Sequence, residues 1–305
     1  KYVPAFWGAV IIPAFLALWM FLQPFIGSSK RGHQFNVGFW WALIAGSVAL
    51  TGMALSEDRA NLKHGAALEE ANWQAERVIE IANAEGIPPT GAVALLRQDH
   101  QNLGRRLFAS HCSSCHLYNG HDGRGFPVED SPSAADLAGF GSVEWITRLL
   151  DYDHYVSDKY FGGTKFKDGT MARKVLAKYT EEEKALLPDI ARLLADGAKL
   201  PYEEPLEEER REELLSLYYN DDLDFEDGRS CIECHDIDSE DEGSAPDLTG
   251  YASREWLIEF IGNPEDDRFY GKKNDRMPCY ARDGKLKPEE IAILADWIRS
   301  TPAEF

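Results

Sequence analysis

The chain has 305 residues, room for two or three compact units, and a formal net charge of −20. Residues 1–55 hold three basic side chains (Lys1, Lys30, Arg31) and no acidic one, which leaves 29 basic and 52 acidic residues in the remainder. So acidic a body repels nucleic-acid phosphates and excludes that partner; it suits either a basic protein partner or a plain solvated surface.

In chain order, Val3 to Phe25 is almost unbrokenly apolar, with Gln23 its one clearly polar side chain. Val37 to Leu55 is a second such run, and each is close to the roughly 20 residues that cross a bilayer as helix. Pro4, Pro13 and Pro24 are tolerable in a membrane helix, and Trp7, Trp40 and Trp41 sit near the ends, where aromatic rings anchor. A secretory signal is the competing reading of the first run, but it is too long, lacks a small-residue cleavage site and is followed at once by another span. The linking segment Gly27 to Asn36 carries Lys30, Arg31 and His33, which places it on the cytoplasmic side and everything after Leu55 outside. Because the chain starts almost within a span, either Lys1 is not the biological start or a preceding span belongs to another piece of the protein.

Ser56 to Gly65 reads as a polar loop, followed by a helix to Ala84 with an apolar stripe at Ala75, Val78, Ile79 and Ala82. This helix carries no chemistry and reads as a spacer or packing element, ended by Gly86-Ile87-Pro88-Pro89.

Beyond it lies an internal repeat. Residues 136–147 (DLAGFGSVEWIT) and 247–258 (DLTGYASREWLI) agree at six of twelve positions. Each copy follows a Cys-x-x-Cys-His, precedes an aromatic-Gly step (Tyr160-Phe161-Gly162; Phe269-Tyr270-Gly271), reaches a methionine and closes with a helix. The stripe of the second closing helix is Ile291, Leu294, Ala295 and Ile298. The first has a capping box at Thr180 and Glu183 and a stripe of Leu186, Ile190, Leu193 and Leu194, with Pro188 predicting a kink or a late start. Leu200 to Pro205 divides the copies. Alternating β-branched runs are absent, so the expected class is all-α with long loops, partitioned as a two-helix anchor (1–58), a linker with a helix (59–99) and two domains (100–200 and 201–305).

Cys112-Ser113-Ser114-Cys115-His116 and Cys231-Ile232-Glu233-Cys234-His235 are haem c attachment patterns. Two thiols on one helical turn reach the two vinyl groups along one porphyrin edge, and the adjacent histidine falls beneath the iron. A zinc site is the rival, but the pairs stand 119 positions apart, each with its own histidine. A thioredoxin-like pair needs a βαβ setting that is missing. Met20 and Met53 lie in the apolar runs, so each copy owns a single methionine, Met171 or Met277, as candidate sixth ligand: His116 with Met171 on haem 1, His235 with Met277 on haem 2. His121 or His154 are alternatives to Met171; His64, His100 and His111 read as surface residues. Trp145, Trp256, Phe161 and Tyr270 read as core, and Cys279 as a buried thiol. Asp221-Asp222, Glu226-Asp227 and Glu240-Asp241-Glu242 flank the second motif as docking or merely solvated charge. No catalytic constellation is present on the chain.

With these motifs in hand, the body resembles two class I cytochrome c domains in tandem. The second copy is the closer match, through Ala245-Pro246-Asp247-Leu248 and Met277-Pro278; the resemblance implies that the Pro246 carbonyl holds the His235 imidazole. The first copy departs, with Ala135 where Pro246 stands and no proline after Met171. The head is similar to the last helices of cytochrome b in its split form, subunit IV of quinol–cytochrome c reductases. That likeness rests on Lys1-Tyr2-Val3-Pro4, Leu22-Gln23-Pro24-Phe25, the Lys30-Arg31 loop and Leu50-Thr51-Gly52. It implies cytochrome b and iron–sulfur partners, a basic soluble cytochrome or oxidase as acceptor, and a bacterial cytoplasmic membrane with both haems on the outer side. The dihaem subunit of a cbb-type oxidase, a free-standing anchored shuttle and a dihaem peroxidase are the alternatives.

Overall fold

Runs of apolar side chains with no polar face form the first two helices. In the computed structural model, which describes residues 7–219, 230–237 and 244–302, a π-helical turn Trp7–Ile11 leads into α1 (Ile12–Ile26), and α2 follows (Lys30–Ala60). Lys1 to Pro4 and the three acidic runs flanking the second motif lie outside the described residues. Both helices are long and apolar enough to cross a bilayer, with mean hydropathies of 2.1 and 1.5. Trp19 of α1 packs on Phe39 of α2 at a ring separation of 4.2 Å. Phe21, Phe25, Trp41, Val48 and Leu50 are exposed.

Two expectations are corrected here. The basic link is only Gly27–Ser29: Ser29 Oγ accepts from Gly32 N at 3.1 Å, so Lys30, Arg31 and His33 lie within α2. Likewise Ser56–Gly65 is helical except at Asn61, since α2 continues to Ala60 and α3 (Leu62–Glu85) starts immediately. Glu57, Arg59 and Ala60 favour helix, so the apolar pattern stops there while the backbone hydrogen bonding does not.

The chain divides between Gly65 and Ala66 into two compact units. The second contains most of α3, then α4 (Ala92–Gln98), α5 (His100–His111), α6 (Val143–Leu149), α7 (Tyr152–Tyr155), α8 (Glu181–Ala198), α9 (Glu208–Tyr219), α10 (Arg254–Gly262) and α11 (Pro288–Ile298). No strand occurs among the described residues. The expected divisions at residues 99 and 200 fall inside this unit, which shares one core including Phe108, Trp145, Ile190, Leu214, Trp256, Ile291 and Leu294.

The repeat explains how equivalent helices begin. Ser142 and Ser253 occupy the same place in the two copies, and each Oγ caps its helix by accepting from Trp145 N or Trp256 N at 3.2 Å. Thr180 and Glu183 form the expected reciprocal box. That box starts α8 at Glu181, so the helix runs through Pro188 and does not start late. Ile291, Leu294, Ala295 and Ile298 are all buried. In α8, Leu187 is buried with Ile190, Leu193 and Leu194, while Leu186 is half-buried.

Helix α3 is a packing element, but only part of the expected stripe turns inward: Val78 and Ala82 are half-buried, whereas Ala75 and Ile79 are exposed. Its inward residues are Ala66 and Glu70, with Trp73 and Arg77 half-buried. Glu70 is 5% exposed and pairs with Arg105 at 2.8 Å and Arg124 at 3.2 Å; the Arg105 guanidinium also lies 3.9 Å from the Trp73 ring centroid. Arg77 bonds Asp99, the cap of α5, at 2.7 Å. Removing one member of a buried charge cluster strands the others, so Glu70→Gln is expected to destabilise the protein by about 2–4 kcal/mol. The exposed control Glu69→Gln should change stability by less than about 0.5 kcal/mol. Guanidinium unfolding of the full chain in detergent reads both.

Candidate haem-binding sites

Each Cys-x-x-Cys-His forms one turn closed by backbone hydrogen bonds. His116 N bonds Cys112 O and His235 N bonds Cys231 O, both at 2.8 Å. The loop that follows doubles back beneath it in the same way in both copies. Ala134 N and Ala245 N bond the carbonyls of Cys115 and Cys234 at 3.1 and 3.0 Å; Leu137 N and Leu248 N bond those of Leu117 and Asp236 at 2.9 and 2.8 Å. These bonds bring one carbonyl opposite each imidazole. His116 Nδ1 meets Ala135 O at 2.7 Å, and His235 Nδ1 meets Pro246 O at 2.7 Å. A carbonyl only accepts, so each Nδ1 carries the proton and each Nε2 keeps its lone pair for a metal. The absence of a proline at Ala135 does not alter this, because the contact is made by the main chain.

The electrostatics agree with that role. Burial holds both imidazoles below the ordinary histidine range, partly offset by the carbonyl bonds, and so favours the neutral, ligating form. Burial likewise pushes the Cys112 thiol up to about 12 and Cys231 up to about 11. None of the four motif cysteines forms a disulfide.

Met171 and Met277 are half-buried and packed against the core, the former opening a π-helical turn, the latter outside any helix, where Asn274 Nδ2 donates to its carbonyl at 2.7 Å. His121 Nδ1 accepts from Gly123 N at 2.9 Å, and His154 forms an exposed pair with Asp151 at 2.8 Å. His64, His100 and His111 are exposed, and Cys279 is 1% exposed, as expected. Trp145 and Trp256 are buried, Phe161 and Tyr270 half-buried.

Three contributors escape a motif search. The Asp136 carboxylate accepts from Asn119 N, Gly120 N and Ala138 N at 2.8–2.9 Å, tying the segment after the first motif to the loop beneath it. Its sequence signal was the shared Asp that opens the repeat. Tyr218 Oη donates to His235 O at 2.9 Å, and Tyr280 Oη to His111 O at 2.6 Å. Nothing in their spacing announces either tyrosine.

Residues 225–302 match the cytochrome c family. The chain carries a cytochrome c domain. No curated protein and no solved structure matches. The matched segment contains Cys231, Cys234, His235 and Met277, so the protein is an electron-transfer haem protein with covalently held haem c. The residues of the domain fit that group: two thiols one turn apart and outside any disulfide, an imidazole fixed through Nδ1, and a buried Trp256 Nε1 that has no hydrogen-bond acceptor among the described residues. The counterpart Trp145 Nε1 donates to Asp136 O at 3.1 Å.

Because the lock on His235 is a carbonyl, Pro246→Ala should keep the axial histidine and its spectrum, at a stability cost of no more than about 1 kcal/mol from the looser unfolded chain. Absorption and magnetic circular dichroism of the holoprotein check this; loss of histidine ligation would mean that the proline ring, not the carbonyl, positions the imidazole.

Proposed function

We propose that the chain is the membrane-anchored dihaem c subunit of a cytochrome bc-type quinol–cytochrome c oxidoreductase, passing electrons to a soluble carrier or oxidase outside the cytoplasmic membrane of a bacterium. The observation that carries the two-haem part is the identical imidazole–carbonyl lock at both attachment motifs. The second lies within the recognised cytochrome c domain and the first reproduces its hydrogen bonding outside it. The two long apolar helices support the anchor, and Lys30 and Arg31 beside the turn between them favour a cytoplasmic turn with the haem-bearing part outside.

In this reading Cys112 and Cys115 hold one haem and Cys231 and Cys234 the other, with His116 and His235 as proximal ligands and Met171 and Met277 as the distal pair. Each bound haem supplies a one-electron couple. The buried imidazoles keep their ligating nitrogens neutral, and a histidine and a methionine for each haem would leave no place for a substrate, which suits transfer over catalysis. Quinol oxidation itself belongs to the proposed cytochrome b and iron–sulfur partners. The acidic body, with 52 acidic and 32 basic residues in the whole chain, suits a basic electron acceptor.

Two tests address the two levels of the reading. The full chain is expected to carry two covalent haems, falling to one in Cys112→Ser/Cys115→Ser, by mass spectrometry and the pyridine haemochrome spectrum. A single haem in the unmodified chain overturns the dihaem reading. The complex purified from native membranes in mild detergent should reduce cytochrome c at the expense of quinol and contain haem b. Oxygen consumption without quinol oxidation would place the chain in an oxidase instead, and neither activity would leave an anchored shuttle.

A further inference from the structure

Resting on the two-haem reading, we infer that the two haem pockets are built crosswise: the pocket of His116 is closed by the Met277 segment, and that of His235 by the Met171 segment. This exchanges the pairing that chain order suggests.

The packing of the helices is the first observation. Helix α5, which leads into the first motif, lies along α11, the last helix of the second copy. The approach is close enough that a Cβ on Gly104 would stand 2.3 Å from Trp297 Cβ. Trp297 also packs on Phe108 and Tyr118, at ring separations of 5.2 and 4.3 Å, on both sides of the first motif in sequence. On the other side α9, which leads toward the second motif, packs on α8, the last helix of the first copy; Arg210 pairs with Asp189 at 2.7 Å and Leu206 N bonds Asp196 Oδ1 at 2.7 Å. Among the described residues α5 has no comparable packing on α8, nor α9 on α11. Yet α6 stays with α8 and α10 with α11, so the exchange happens upstream of α6 and α10.

The crossing point is visible there. A Cβ on Gly141 would lie 2.4 Å from that of Ala252, at matching positions of the repeat, and Phe140 packs on Tyr251 at 5.5 Å. The Arg299 guanidinium ties the place together, donating to the carbonyls of Ala252, Ala198 and Lys199 at 3.2, 2.7 and 2.8 Å.

The flanks of the methionines supply the third observation. Lys273 Nζ still reaches Ser244 O in the loop of the second motif, at 2.6 Å. Three residues later Arg276 donates to Gly163 O at 3.2 Å and Ser133 O at 3.5 Å, and Ser133 N is itself bonded to Cys115 O. Tyr280 then bonds His111 O, beside Cys112. Met277 is therefore bracketed by Arg276, which bonds the loop beneath the first motif, and Tyr280, which bonds the residue just before it. Downstream of Met171, Tyr179 hydrogen-bonds the Cys231 sulfur of the second.

Single-haem backgrounds test the pairing. In Cys231→Ser/Cys234→Ser, which keeps the haem at His116, Met277→Ala should abolish the sulfur-to-iron charge-transfer band of the ferric protein and lower its midpoint potential, while Met171→Ala leaves both unchanged. In Cys112→Ser/Cys115→Ser the effects should be reversed. Since each substitution is silent in one background, general misfolding cannot produce this pattern. The opposite pattern, His116 responding to Met171 and His235 to Met277, overturns the crossed pockets while leaving the two-haem reading intact. Failure of either background to retain a haem would strike the two-haem reading itself.

Discussion

Everything the attachment motifs can do depends on a hydrogen bond from an imidazole to a main-chain carbonyl. An unrestrained histidine could offer either nitrogen; a carbonyl at 2.7 Å from Nδ1 removes that freedom, while burial disfavours a second proton. The bond needs its acceptor placed to within a few tenths of an ångström, and the loop beneath each motif achieves this with backbone bonds back to the second cysteine and to the residue after the histidine. Because the device is made of main chain, it tolerates Ala135 in one copy and Pro246 in the other. Side chains secure the ends of those loops: Asp136 gathers three backbone N–H groups, and Asp247 accepts from Thr249 N at 2.7 Å and from Arg268 at 3.1 Å.

The acidity of the body divides into two kinds. Glu70 is buried and paired with two arginines, and Glu183 is buried within a capping box, so both act in the fold. Pairs such as Arg282–Glu265 and Lys184–Glu181 are largely exposed, where water screens them and each contributes little stability. Their value lies in the field they create at the surface, which bears on encounter with a charged partner more than on folding.

Duplication also has a topological consequence. Two copies of one sequence offer two equivalent surfaces for every helix, and nothing in the local pattern of α5 distinguishes α8 from α11 as its mate. Gly104 allows the close approach that Trp297 fills, a large side chain that α8 lacks. A small residue facing a large one is the kind of shape match that decides between otherwise similar packings.

Local spacing and periodicity were enough for the two apolar helices, the all-helical class, the attachment motifs and the burial of the α11 stripe. The sequence also marked the Thr180–Glu183 box, whose partners lie three residues apart. It misjudged where helices end: Lys30 to Asn36 and most of Ser56 to Gly65 are helical, since polarity marks the edge of an apolar run and not of a hydrogen-bonded ladder. It only half found the packing face of α3, since Ala75 and Ile79 are exposed while Glu70 and Arg77 turn inward to partners 22 to 54 residues away. Only the tertiary structure decided which helix covers which motif, and that Tyr218 and Tyr280 close over the attachment turns. Those contacts join residues up to 193 positions apart, as at Gly104 and Trp297, and their selection rests on shape and on carbonyl positions that exist only once the chain has folded.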